Sequence, residues 1–287
     1  MAAMPAIARR TLLLGHSPDP DDAFMHWALA TERLDTGGLR FEHRLEDIET
    51  LNRRALKGEY EITAVSIHAW AHVGGKYALL NHGASMGEGY GPRIVAREQF
   101  DLKRLQKGGG KRMAVPGEWT SAHLAAQMRI GPYEFGLVPF DQIPEAVARG
   151  DYDAGLLIHE GQLTFQQLGL VLLEDLGAWW AKETSGLPLP LGGNCVRRDL
   201  GDLIPEVSRL LQASIREGLE HRQEAVAYAL SFGRGLTLAQ ADEFIGMYVN
   251  ARTLDYGDDG RESVRLFLRR ARAAGLILEH PEPDFVR

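Results

Sequence analysis

Through the first two thirds of the chain, short aliphatic or β-branched runs alternate with longer segments whose apolar residues recur at helical spacing. That alternation predicts an α/β protein built from βαβ units around a largely parallel sheet. Four passages carry the pattern. In TLLLGHSPDPDDAFMHWALA a strand covers Leu12 to Leu14, a turn rich in Pro and Asp follows, and a helix begins at about Asp21. In YEITAVSIHAWAHV, Ile62 to Val65 read as strand, and Ile67, Trp70, Ala71 and Val73 take helical spacing. KRMAVPGEWTSAHLAAQM places a strand through Met113 to Val115 and a helix from near Thr120. DYDAGLLIHEGQLTFQQLGL carries a buried strand, Ala154 to Ile158, that delivers His159 to its end.

The final third differs in kind: Pro205 to Leu276 read as helices, with breaks near SFGRG and at DYGDDG. Two glycine- and proline-rich stretches interrupt the α/β pattern. NHGASMGEGYGPRIVARE has glycines ahead of a strand at Arg93 to Arg97, and SGLPLPLGGNCVRRDL joins rigid prolines to flexible Gly192 and Gly193. Two separated hinges imply a discontinuous domain. The expected division is a larger α/β lobe from 1–97 and 191–287, with a smaller α/β lobe, 98–190, inserted between them.

Composition narrows the function classes. With 287 residues, 45% hydrophobic and 25% charged, the chain is an ordinary globular protein of about two domains. Its one cysteine, Cys195, can form neither an internal disulfide nor a cysteine-based zinc site, which points to a reducing compartment. The first residues hold too few consecutive apolar positions for a secretory core, and no run approaches a membrane span. A cytoplasmic location without membrane insertion is therefore expected. A net charge of −7 argues against a nucleic-acid partner. The basic segment RLFLRRARAAG reads as a solvated helix face around an apolar stripe.

In open α/β sheets ligands bind beyond the carboxyl ends of the strands. Ser17 with Asp19, Ser66, Thr120 with Ser121, and His159 all fall there. Three of these positions also begin helices, where free amides and the macrodipole attract an anion, so a small organic acid is the expected partner. Helix capping is the structural alternative for Ser66, Thr120 and Ser121, and dipole compensation for Asp19, Asp21 and Asp22. An unperturbed imidazole changes charge near neutral pH, which suits His159 to proton transfer; the structural alternative is a hydrogen bond to a neighbour such as Glu160. Metal and cofactor chemistry lack a signature. DPDDAFMHWALA has Phe24 and Ala30 where a calcium loop needs Gly and Glu, and HAWAH lacks the Glu of a zinc-protease helix. GEGYGP runs into a strand and is no dinucleotide fingerprint, and Ser185 and Cys195 belong to no recognisable nucleophile motif.

The blocks HSPDPDDAFMHWAL, LEDIETLNRRALKGEYEITAVS, VPGEWTSAHL, AGLLIHE, LGAWWAKETSGLPLPLG, VRRDLG and YVNARTLDYGDDG follow one another from about residue 12 to residue 276. In that order they closely resemble the 1,4-dihydroxy-6-naphthoate synthase family of the futalosine route to menaquinone. The resemblance implies the two-lobed fold of type II periplasmic binding proteins, with two crossings between lobes and a ligand in the cleft. It implies a cytoplasmic bacterial lyase that cleaves cyclic dehypoxanthinyl futalosine to dihydroxynaphthoate, without a cofactor. His159 matches the family's proton acceptor, and Thr120 and Ser121 its cleft hydroxyl pair. The expected site is thus His159 as base, with Ser17, Asp19, Asp22, Ala64, Ser66, Thr120, Ser121 and Leu191 around the substrate.

The chain departs from the family twice. Family members read SPCPNDTF where this chain has SPDPDDAF, so Asp19, Asp21 and Ala23 replace Cys, Asn and Thr, and they read TKLS where this chain has TAVS, so Ala64 replaces a Lys. Both changes move the cleft toward negative charge. A paralogous enzyme or a non-catalytic binding protein for a related acid is the alternative reading, and the sequence leaves the oligomeric state open.

Overall fold

The computed structural model describes residues 10–159, 161–232, 237–278 and 282–286. From the N-terminal side the chain builds β1 (Arg10–His16), α1 (Pro20–Ala30), β2 (Leu39–Leu45), α2 (Ile48–Lys57), β3 (Ile62–Ser66), α3 (Ile67–Val73), β4 (Tyr77–Leu79) and β5 (Ser85–Gly87). A second group follows: β6 (Arg93–Ala96), β7 (Arg112–Val115), α4 (Ser121–Ile130), β8 (Glu134–Leu137), α5 (Ile143–Arg149), β9 (Ala154–Leu157), α6 (Gly161–Thr164), β10 (Val171–Asp175) and α7 (Leu176–Glu183). The chain then returns through β11 (Leu189–Arg197) to α8 (Ile204–Glu220), α9 (Arg222–Leu230), α10 (Leu238–Tyr248), α11 (Ala251–Leu254) and α12 (Gly257–Ala273). The helical final third is as expected, including the break at DYGDDG between α11 and α12. Gly233, Arg234 and Gly235 of SFGRG lie outside the described residues.

Two sheets result, ordered β2-β1-β3-β11-β4 with β5 on β11, and β10-β6-β9-β7-β8. Both are mixed, which corrects the expectation of a largely parallel sheet. The βαβ strands are parallel, β1 to β2 and β3, and β7 to β8 and β9. The two strands adjoining the crossings run the other way, β11 against β3 and β6 against β9. Their direction follows from the path: each starts at the cleft, where its neighbours end. Because β6 pairs with β9 and β10, the first crossing lies between Gly87 and Arg93, ahead of the boundary at residue 97. Of the side chains that made this segment read as strand, Val95 packs with Ala114, Ile143 and Leu157 of the second lobe, and Ile94 joins the core that runs between the lobes.

Local sequence explains the elements. α2 is capped by Asp47, whose carboxylate accepts the Thr50 amide, and ends at Gly58 with φ 77°. The apolar stripe of α12 (Val264, Phe267, Leu268, Ala271) is buried against both lobes, with arginines at its margin. Trp180 of α7 packs edge-on to Phe267, 5.5 Å between ring centroids, and donates to Ser263 Oγ at 3.0 Å, bolting α12 across the crossings. Among the described residues no helix is long and apolar enough to cross a membrane.

The crossing itself depends on close backbone approach. A Cβ on Gly177 would lie 1.9 Å from the Tyr90 carbonyl oxygen. Gly177→Ala must therefore push α7 off the crossing and is expected to cost roughly 1–3 kcal/mol or more, lowering the thermal midpoint by several degrees. Unfolding by calorimetry checks this; an unchanged midpoint contradicts the packing described.

Burial lowers the titration of six histidines among the described residues. Burial pushes His16 and His68 down to about 3, and His82 and His123 down to about 4, and lowers His26 and His43 as well. Since these folded values lie below the unfolded value near 6.5, their contribution to stability is full above pH 6.5 and is lost as pH falls toward 3. Asp21 and Asp22, raised to about 7 and about 6, act with the opposite sign over pH 7 to 4. Histidines outweigh carboxyls, so unfolding between pH 6 and 4 is expected to take up about two protons or more, or about 3 kcal/mol of stability per pH unit. Denaturant melts across that range measure the slope, and a flat profile contradicts it.

Candidate active site

A cleft of about 740 Å³, including its mouth, lies where β1, β3, β7 and β9 end and β11 begins. It is lined by Ser17, Asp22, Ala64, Ser66, Thr120, Ser121, His159 and Leu191 of the expected site, and also by Asp21, Gln162, Asn194 and Tyr248. Asp19 stands just behind the lining, 3% exposed, against His159. Among the described residues, no lysine or arginine lines the cleft.

The SPDPDD turn is fixed by its prolines and by Ser17. Pro20 occupies the first turn of α1 and holds Asp19 extended at φ −66°, ψ 151°. The Ser17 amide donates to Asp22 Oδ2 at 2.8 Å, and the Asp19 amide donates to Ser17 Oγ at 3.1 Å. Asp19 occupies the cap position of α1 but makes no side-chain cap bond. Its Oδ2 instead lies 3.4 Å from His159 Nδ1. Burial, then repulsion from Asp22, pushes Asp21 up to about 7. Burial raises Asp22 to about 6 against the pull of the Ser17 amide. The pair consequently retains proton near neutrality.

The strand-end hydroxyls divide into two kinds. Thr120 Oγ1 accepts the His123 amide at 3.2 Å and donates to the Gly117 carbonyl at 3.0 Å, which is a capping role. Ser121 Oγ accepts the His68 amide at 3.2 Å and donates to the Leu191 carbonyl at 2.5 Å, tying α4 to α3 and β11. Both hydroxyl protons are occupied. What α4 offers the cleft is its first amides, at Ser121 and Ala122, which no carbonyl of the helix can satisfy. Ser66 differs. Asn52 of α2 clamps it, accepting the Ser66 amide at 2.8 Å and donating to Ser66 Oγ at 3.0 Å. Ser66 makes no cap bond, and its hydroxyl proton remains available to a ligand.

His159 follows β9 at φ 54°, a left-handed conformation that turns the chain sharply after the strand. Its ring lies 4.7 Å from that of Phe140. Gln162 holds it from below: the Gln162 amide N–H donates to the His159 carbonyl at 3.1 Å, and its side-chain oxygen accepts the His159 amide at 3.2 Å. The same side chain bonds the Gly91 carbonyl at the crossing and the Tyr248 hydroxyl of α10 at 3.1 Å. Glu160 lies outside the described residues.

Ala64 faces Asn194 directly in the β3–β11 register. Asn194 is 1% exposed, and neither its Oδ1 nor its Nδ2 has a partner among the described residues. An unsatisfied buried amide costs about 1–3 kcal/mol, a cost that a polar ligand in the cleft relieves. Asn52, Gln162, Asn194 and Tyr248 carry no motif that marks them in the sequence; only Gln162, one turn beyond His159, lies near a residue singled out there.

The arrangement can take a proton from a ligand at His159, donate hydrogen bonds to an anionic or carbonyl oxygen from α4 and Ser66, and pair a polar group with Asn194. Comparison with known proteins adds the family. The menaquinone biosynthesis family model matches residues 12–273. The chain is 40% identical over 280 residues to a 1,4-dihydroxy-6-naphthoate synthase of Thermus thermophilus, covering 96% of this chain and 99% of that protein. It is 36% identical over 277 residues to the Streptomyces coelicolor enzyme of the same name, covering 93% and 95%. Among solved structures, the alkanesulfonate-binding protein of Xanthomonas axonopodis bound to MOPS superposes with a TM-score of 0.67 over 98% of both chains at 14% identity, which establishes the two-lobed binding-protein fold. The chain belongs to the menaquinone biosynthesis family.

Proposed function

We propose that this chain is a 1,4-dihydroxy-6-naphthoate synthase, a carbon–carbon lyase that converts cyclic dehypoxanthinyl futalosine to 1,4-dihydroxy-6-naphthoate in menaquinone biosynthesis. The observation that carries the reading is the placement of His159 in a cleft of this family, beside helix amides suited to an acid group. A single thiol, buried at Cys195, suits a reducing compartment, and we place the reaction in the cytoplasm.

The chemistry needs few parts. A proton passes from the substrate to His159, and the electron pair left behind drives cleavage of the carbon–carbon bond. The sugar-derived fragment departs with the electrons of that bond and takes a proton back from the imidazolium, so no other reactant is consumed. Formation of an aromatic ring supplies the driving force. The amides of Ser121 and Ala122 hold the carboxylate, and Ser66 steadies the oxygen on which negative charge develops.

The loss of a lysine at Ala64 and the gain of carboxylates in SPDPDD are less adverse than a formal charge count suggests. Burial keeps Asp21 partly protonated near neutrality, and the amide of Asn194 stands next to Ala64 as a neutral partner for the substrate.

Purified protein incubated with cyclic dehypoxanthinyl futalosine is expected to release dihydroxynaphthoate, followed by mass spectrometry. Retention of the unchanged compound by folded protein would instead identify a binding protein. His159→Gln is expected to lower kcat by roughly 10²–10⁴-fold while binding persists; undiminished turnover removes His159 from the base role.

Asn194→Val should raise KM by up to about tenfold, the worth of one hydrogen bond, and leave the thermal midpoint equal or higher. Steady-state kinetics with a parallel melt separates the cases. A large loss of stability at unchanged KM assigns Asn194 to the fold alone.

A further inference from the structure

Asp19 occupies the cap position of α1 without capping it, is almost wholly buried, and makes no hydrogen bond through Oδ2 among the described residues. A carboxylate buried in this way is costly unless an opposing charge or donor faces it. The group that faces Oδ2 is the imidazole of His159, with Nδ1 at 3.4 Å. The two residues come from opposite lobes, Asp19 from the turn after β1 and His159 from the end of β9. The imidazole is confined on other sides as well, by the ring of Phe140 and by the bonds of Gln162 to its backbone.

We propose that Asp19 is a positioning residue for the base: its carboxylate accepts the Nδ1 proton of His159, fixes the neutral imidazole as the Nδ1–H tautomer, and so directs Nε2 to take the substrate proton. When Nε2 accepts that proton the ring becomes an imidazolium, and the adjacent carboxylate stabilises the charge that forms. The separation of 3.4 Å is long for a hydrogen bond and is of the kind that tightens when substrate draws a site together. Because the contact spans the two lobes, alignment of the base depends on their approach. Among the described residues, Asp21 and Asp22 on the same turn, and Tyr248 from α10, are titratable groups close to this pair; Ser17 holds Asp22, and Gln162 holds Tyr248.

This inference rests on His159 being the base, and the test separates the two. Protein labelled with ¹⁵N-histidine reports the tautomer of His159 without any turnover, its signal assigned by its loss in His159→Gln. The wild type is expected to show Nδ1–H, and Asp19→Asn, whose amide can donate to Nδ1, to shift the ring toward Nε2–H. In steady-state kinetics Asp19→Asn should lower kcat by about tenfold or more with KM within about threefold, and Asp19→Ala should do the same if the near-isosteric variant folds poorly. An unchanged tautomer, or an unchanged kcat, in a folded Asp19 variant overturns the positioning role. If His159→Gln keeps its activity while the Asp19 variants still change the tautomer, the base assignment fails and the contact stands.

Discussion

The antiparallel pairing of β11 with β3 is the constraint from which the site follows. Gly192 lies opposite Ser66 and Asn194 opposite Ala64, so the returning strand enters the first sheet at the level where its parallel strands end. One residue earlier, the Leu191 carbonyl accepts the Ser121 hydroxyl, which fixes the N-terminus of α4, and with it the second lobe, against that strand. Gly193 lets this strand pass under Tyr256, whose hydroxyl a Cβ there would meet at 2.2 Å. The cleft thus forms at a junction of three backbones.

Electrostatics at this junction is governed by burial more than by formal charge. Three carboxyls stand in one turn and no cation lines the cleft among the described residues, yet burial raises Asp21 and Asp22 so that Asp21 is still partly protonated near neutrality, and Asp19 faces an imidazole. Backbone amides at the start of α4 supply positive potential without a charged side chain. Such a site suits an acid substrate that meets fixed dipoles, with the imidazole as the group best matched to proton transfer at neutral pH.

Much of this was legible in the sequence, for identifiable reasons. Strands such as Ile62 to Val65 and Ala154 to Ile158 are continuous apolar runs, because both faces of a parallel strand are covered. Their ends therefore fell within a residue of the observed ends, and the residues that follow them line the cleft. Strand direction was not legible: β6 looks like its neighbours in composition, β11 reads as a hinge because of its proline and glycines, and only the path of the chain between lobes makes both antiparallel. The use of each hydroxyl was equally hidden. Thr120 and Ser121 reach the cleft but their protons are taken by Gly117 and Leu191, whereas Ser66 is kept free by Asn52, a residue on another helix. Such roles depend on tertiary partners that periodicity cannot name. Asn194 and Tyr248 were missed for the same reason: the first follows the glycines of a hinge stretch and the second ends a helical run, and neither context marks a ligand contact.

The most direct test is a crystal structure of the His159→Asn protein with cyclic dehypoxanthinyl futalosine bound. The account predicts the carboxylate against the amides of Ser121 and Ala122, and the departing proton facing position 159. A substrate seated outside the cleft, or bound with its carboxylate away from the start of α4, would contradict it.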